Sequence, residues 1–132
     1  MYEFFLWLMV SDELHWEPPA NDDDGETHQQ FFERMREKVV DAWTSLYPSP
    51  ELLNLRYTDG GAAVTAGFAR NHPLGEGAER GFLEKITALA PATYGVLYTQ
   101  DSDTAGPLGT FKVFRLANGA ITETEELLVP PR

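Results

Sequence analysis

The sequence predicts an α+β fold: a ferredoxin-like sheet with two helices on one face and extra C-terminal strands. Three observations predict it. Tyr2–Val10 and the run within Pro91–Asp103 put apolar or aromatic side chains on both alternations, the pattern of strands in the middle of a sheet. Two other segments repeat apolar residues at helical spacing. The elements then follow the order β-α-β-β-α-β-β-β, whose first six members match a split βαβ pattern. At 132 residues the chain reads as one domain over 1–132, with a sheet that is mixed or antiparallel.

In Tyr2–Val10, Phe4, Leu6 and Leu8 alternate with Phe5, Trp7 and Met9. A tryptophan buries a large area when it can, so Trp7 is assigned to the core. Ser11–Glu26 changes character: Asp12, Glu13, Glu17, Asp22, Asp23, Asp24 and Glu26 occur without a lysine or arginine, around Pro18-Pro19. This is a long loop, and loops of that length are usually functional or mobile. Trp16 lies inside it and either folds back onto the core or anchors a partner.

Thr27 with Gln30 forms a capping box, and Phe31, Met35, Val39, Ala42 and Leu46 then recur on one helical face until Pro48 and Pro50 end it. Leu52–Tyr57 and Ala62–Ala69 alternate around Asp59-Gly60-Gly61 as a hairpin with one solvated face. Small residues at Ala62, Ala63, Ala66, Gly67 and Ala69 suggest that a helix packs closely over it. After the loop Arg70–Glu79, a second helix carries Phe82, Ile86 and Leu89.

Proline 91 stops that helix, and Tyr94, Val96 and Tyr98 alternate with Gly95 and Leu97 in the strand that follows. The strand opens into Asp101 and Asp103. Gly109–Leu116 is a further strand, and Asn118-Gly119 turns it into Ala120–Thr124. The remaining Glu125–Arg132 reads as a sheet edge or a free end.

The net charge of −11 argues against binding DNA, RNA or an anionic membrane through a basic face, and it permits a cationic partner. Solubility alone also explains acidity in many small proteins. With no cysteine there is no disulfide, thiolate zinc site or cysteine nucleophile, which fits a reducing cytoplasm. The apolar opening segment carries Glu3 and is too short to span a bilayer.

Little in the sequence points to catalysis. His15, His28 and His72 lie in three different elements, outside any metal-ligand spacing. Asp22-Asp23-Asp24 lacks the frame of a calcium loop, and Asp101-Ser102-Asp103 is short. Serine-nucleophile and nucleotide-phosphate motifs are both missing. We therefore expect no catalytic residues, no cofactor and no metal. What remains is clustered acid, which speeds encounter with a basic protein, beside aromatic groups that supply holding energy. The expected partner-binding set is Asp12, Glu13, Trp16, Asp22, Asp23, Asp24, Asp101 and Asp103, with His72 as a further candidate.

Three stretches also carry a family resemblance: Met1-Tyr2-Glu3-Phe4 with Trp7 close behind, Asn71-His72, and Ala90-Pro91-Ala92-Thr93-Tyr94-Gly95-Val96-Leu97-Tyr98 leading into acids. In this order and spacing the chain resembles the immunity protein 7 family of bacterial polymorphic toxin systems. The resemblance implies a small cytoplasmic α+β protein, encoded beside a toxin, that binds and neutralises the toxin's catalytic domain. Such partners are often nucleases with basic surfaces. Two readings of other classes are a small enzyme or ligand-binding domain with a pocket between helices and sheet, and an adaptor using an open sheet edge. The oligomeric state is not legible.

Overall fold

A computed structural model describes residues 1–11, 28–58, 61–101 and 110–127. Strand β1 (Tyr2–Val10) leads to helix α1 (His28–Leu46), a short 3₁₀ turn (Pro50–Leu52), β2 (Leu53–Thr58) and β3 (Gly61–Arg70). Helix α2 (Ala78–Leu89), β4 (Tyr94–Asp101), β5 (Thr110–Ala117) and β6 (Ala120–Leu127) follow. The six strands form one sheet in the order β2-β3-β1-β4-β5-β6, with every neighbouring pair antiparallel. The two all-apolar segments are thus central, as the alternation predicts.

Burial separates the two sides of β1. Tyr2, Phe4, Leu6, Leu8 and Val10 face a core shared with Phe31, Met35, Val39 and Trp43 of α1 and Phe82, Leu83 and Ile86 of α2. The Trp43 ring meets Phe4 at 5.7 Å, Phe82 at 5.9 Å and Phe68 at 6.2 Å, so both helices pack on this one face. Trp43 Nε1 donates to the Ser49 carbonyl at 3.0 Å, tying the end of α1 to the turn before β2. Lys38 Nζ donates to the Leu89 carbonyl at 2.7 Å, a cation at the C-terminal end of α2 where the helix dipole favours one.

Local chemistry fixes several joints. Asn118 and Gly119 have φ of 52° and 76°, the paired left-handed conformations of a tight hairpin turn, as Asn-Gly predicts. A side chain on Gly95 would stand 2.7 Å from Leu8 Cα, so the absence of one lets β4 lie against β1. Ser11 is held after β1 because its N–H donates to Thr93 Oγ1 at 3.3 Å and its carbonyl accepts from Ala92 N–H at 2.9 Å.

The strand predicted to end at Thr124 continues to Leu127 and forms one edge of the sheet. Glu123 and Glu125 lie along that edge, where charge discourages pairing with another strand. Thr27 of the predicted capping box lies outside the described residues. The small residues of β3 divide between the two faces. Ala62 and Ala66 lie on the helix side, whereas Ala63, Gly67 and Ala69 lie on the other, so a packed helix explains two of the five.

Candidate functional site

Among the described residues, no helix lies upon the opposite face of the sheet. Phe5 is 54% exposed, Tyr94 48%, Trp7 41% and Tyr98 38%. Trp7 is therefore not a core residue. It projects from the odd-numbered side of β1, and both helices occupy the even-numbered side. Its ring meets Tyr94 edge-on at 5.9 Å, and Tyr98 meets Phe111 at 5.8 Å. Phe5 lies over Gly67, where an added Cβ would touch its ring at 3.4 Å.

The predicted partner-binding residues divide by position. Asp12, Glu13, Trp16, Asp22, Asp23, Asp24 and Asp103 lie outside the described residues. Asp101 is the half-buried last residue of β4, opposite Tyr2 in the β1–β4 register. His72 is exposed in the loop after β3, at the same end of the sheet because Arg70 also pairs with Tyr2. The chain enters 12–27 from Ser11, at the other end. Eight residue steps of β1 separate the two ends, roughly 26 Å at about 3.3 Å per residue.

At the Tyr2 end, the β3–α2 loop and the ends of four strands enclose a cleft of about 280 Å³. Its described lining includes Glu76, Glu79, Asp101 and Glu125, together with Lys112. The Tyr2 hydroxyl donates to Glu79 Oε1 at 2.6 Å. Burial first, and then the Glu79 carboxylate that accepts this hydrogen bond, push the Tyr2 phenol well above its ordinary range. It stays protonated at neutral pH and serves as a donor that orients a carboxylate, not as a base. Lys112 and Arg80 approach Glu123 nearby at 3.8 and 3.7 Å, exposed pairs of small energetic weight.

The four carboxylates of the cleft give it a potential that favours cations. Among the described residues, no three histidine or carboxylate side chains stand where they could hold a metal ion. The space between helices and sheet, where a ligand pocket was the alternative expectation, holds Trp43, Phe4, Phe31, Met35 and Leu83 as packed core. No helix among the described residues is long and apolar enough to cross a membrane.

With this geometry established, the family comparison decides the identity. The model of the family described as Immunity protein 7 matches residues 1–132, the whole chain. This chain belongs to the immunity protein 7 family. No curated protein and no solved structure matches it. Membership implies an immunity protein that binds a cognate toxin protein.

Sequence reasoning missed Phe5 and Tyr94 as surface groups. A signal was available: two helices that pack side by side cover one face of a sheet, yet two strands were apolar on both.

Proposed function

We propose that this immunity protein is a single, non-catalytic, cytoplasmic domain of a polymorphic toxin system. It neutralises a basic, nuclease-type toxin domain by stoichiometric binding. The carrying observation is the base-free run of seven carboxylates within Ser11–Glu26 on a chain of this family, with net charge −11. Asp12, Glu13, Asp22, Asp23, Asp24, Asp101 and Asp103 supply the field. Trp16 is an anchor and His72 a contact. The carboxylates of the Tyr2 cleft favour the same reading, since they add negative potential beside Asp101. The β2-β3-β1-β4 order with its antiparallel pairs also favours reading the first six elements as a split βαβ unit.

The test is kinetic. Reversing Asp22, Asp23 and Asp24 to lysine slows association with the toxin domain encoded beside this gene by roughly tenfold at low salt, and the difference shrinks as salt rises. The melting temperature changes little. An on-rate equal to wild type at low salt removes these residues from the interface.

A further inference from the structure

We infer that the uncovered sheet face is the seat of the toxin domain, with its aromatic strip packed on an apolar patch of the partner that is flanked by basic groups. This rests on the toxin-neutralising reading and adds where the partner lies.

Three observations carry the inference. The first is composition: the strip on β1 and β4 consists of Phe5, Trp7, Tyr94 and Tyr98, all substantially exposed. Tryptophan and tyrosine dominate interface energetics, and the middle of an interface is depleted of charge. Among the described side chains of this face, charge is confined to Glu3, Arg56 and Arg115, on a chain that carries 31 acidic and basic residues. Arg56 and Arg115 sit on flanking strands and Glu3 at the Tyr2 end, so a polar margin surrounds an apolar middle. Between Phe5, Tyr98 and Phe111 lies a depression of about 300 Å³, sized to take a side chain of a partner.

The second observation is area. Six strands spaced about 4.8 Å apart, each with about eight residues rising about 3.3 Å, present roughly 750 Å². A standard protein interface buries about 800 Å² per partner.

The third is geometry joined to charge. The two acid-bearing segments leave from opposite ends of β1 and β4, the strands that carry the aromatic strip. A partner that reaches from Ser11 to Asp101 lies along these strands. Helices fill the other face, so this face is the route between the two ends. The partner therefore has an apolar centre and basic groups at both ends of it.

The experiment uses the full chain and the purified toxin domain encoded beside its gene. Trp7→Ser and Tyr98→Ser are compared with Lys85→Ser, on the outer side of α2, by binding kinetics, growth rescue and thermal melting. Phe5→Ser, at the most exposed of the four positions, stands in for any variant that fails to fold. Dissociation at least tenfold faster for the sheet-face variants, with rescue lost, melting lowered by less than about 5 °C and Lys85→Ser unaffected, supports the inference. Wild-type binding that the sheet-face variants retain overturns the inference and leaves the toxin-neutralising reading intact. Wild-type failure to bind or rescue overturns both. Sedimentation of the free wild type should show a monomer. A concentration-dependent dimer abolished by Trp7→Ser overturns the inference in favour of a second copy on this face. Greater acrylamide quenching of Trp7 on deletion of 12–27, read in a chain whose other tryptophans are phenylalanine, overturns it in favour of a self-covered face.

Discussion

Phe4 and Phe5 are adjacent on β1. Phe4 is fully buried, stacked on Phe68 at 4.7 Å and edge-on to Trp43, whereas Phe5 stands more than half exposed over Gly67. The same contrast separates Trp43 from Trp7. Trp43 is enclosed by rings from β1, β3 and α2 and by Tyr47 just after its own helix, while Trp7 touches Tyr94 along one edge. Side-chain chemistry is alike on the two faces, so hydrophobicity does not distinguish them. What distinguishes them is that both described helices lie upon one face. An apolar residue without a covering element is surface that another molecule can desolvate.

That contrast sets the expected effects of substitution. The largest belongs to the covered face: Trp43→Ala should cost about 3–5 kcal/mol in urea unfolding, because the cavity it leaves is walled by several elements. A cost below about 1 kcal/mol would mean that the two faces are not energetically distinct. Next is Tyr2→Phe, which removes the hydrogen bond to Glu79 and should cost about 1.5 kcal/mol.

The same variant carries a pH signature. The folded chain holds the Tyr2 proton that the unfolded chain releases above about pH 10, so this contribution is complete below pH 10 and declines as pH rises beyond it. For one proton the slope is about 1.4 kcal/mol per pH unit. Unfolding at pH 9, 10 and 11 should show a steeper alkaline fall in wild type than in Tyr2→Phe. Equal slopes would remove the buried phenol from the account. The smallest effect belongs to the open face: Trp7→Ala should cost about 1 kcal/mol, with its main consequence in binding.

The sequence carried the fold well wherever local chemistry decides. Alternation set the bounds of β1, Asn118-Gly119 set the last hairpin, and the prolines after Tyr47 and Leu89 closed the helices. It carried the sidedness of β1 poorly, because alternation separates two faces without saying which of them receives the helices. It also left open the end of the sheet from which each acid-bearing segment leaves. Asp101 and Ser11 come to opposite ends through the antiparallel register of β1 and β4, a pairing between residues some ninety positions apart. Tyr2 and Glu79 likewise meet across 77 positions of chain, where α2 packs beside the end of β1.

Side-chain footprinting of the free protein and of its complex with the toxin domain tests the two-face account most directly. The account predicts that Trp7, Tyr94 and Tyr98 are modified in the free protein and protected in the complex, while Trp43 stays unmodified in both. Equal modification of Trp7, Tyr94 and Tyr98 in the free and bound states would contradict it.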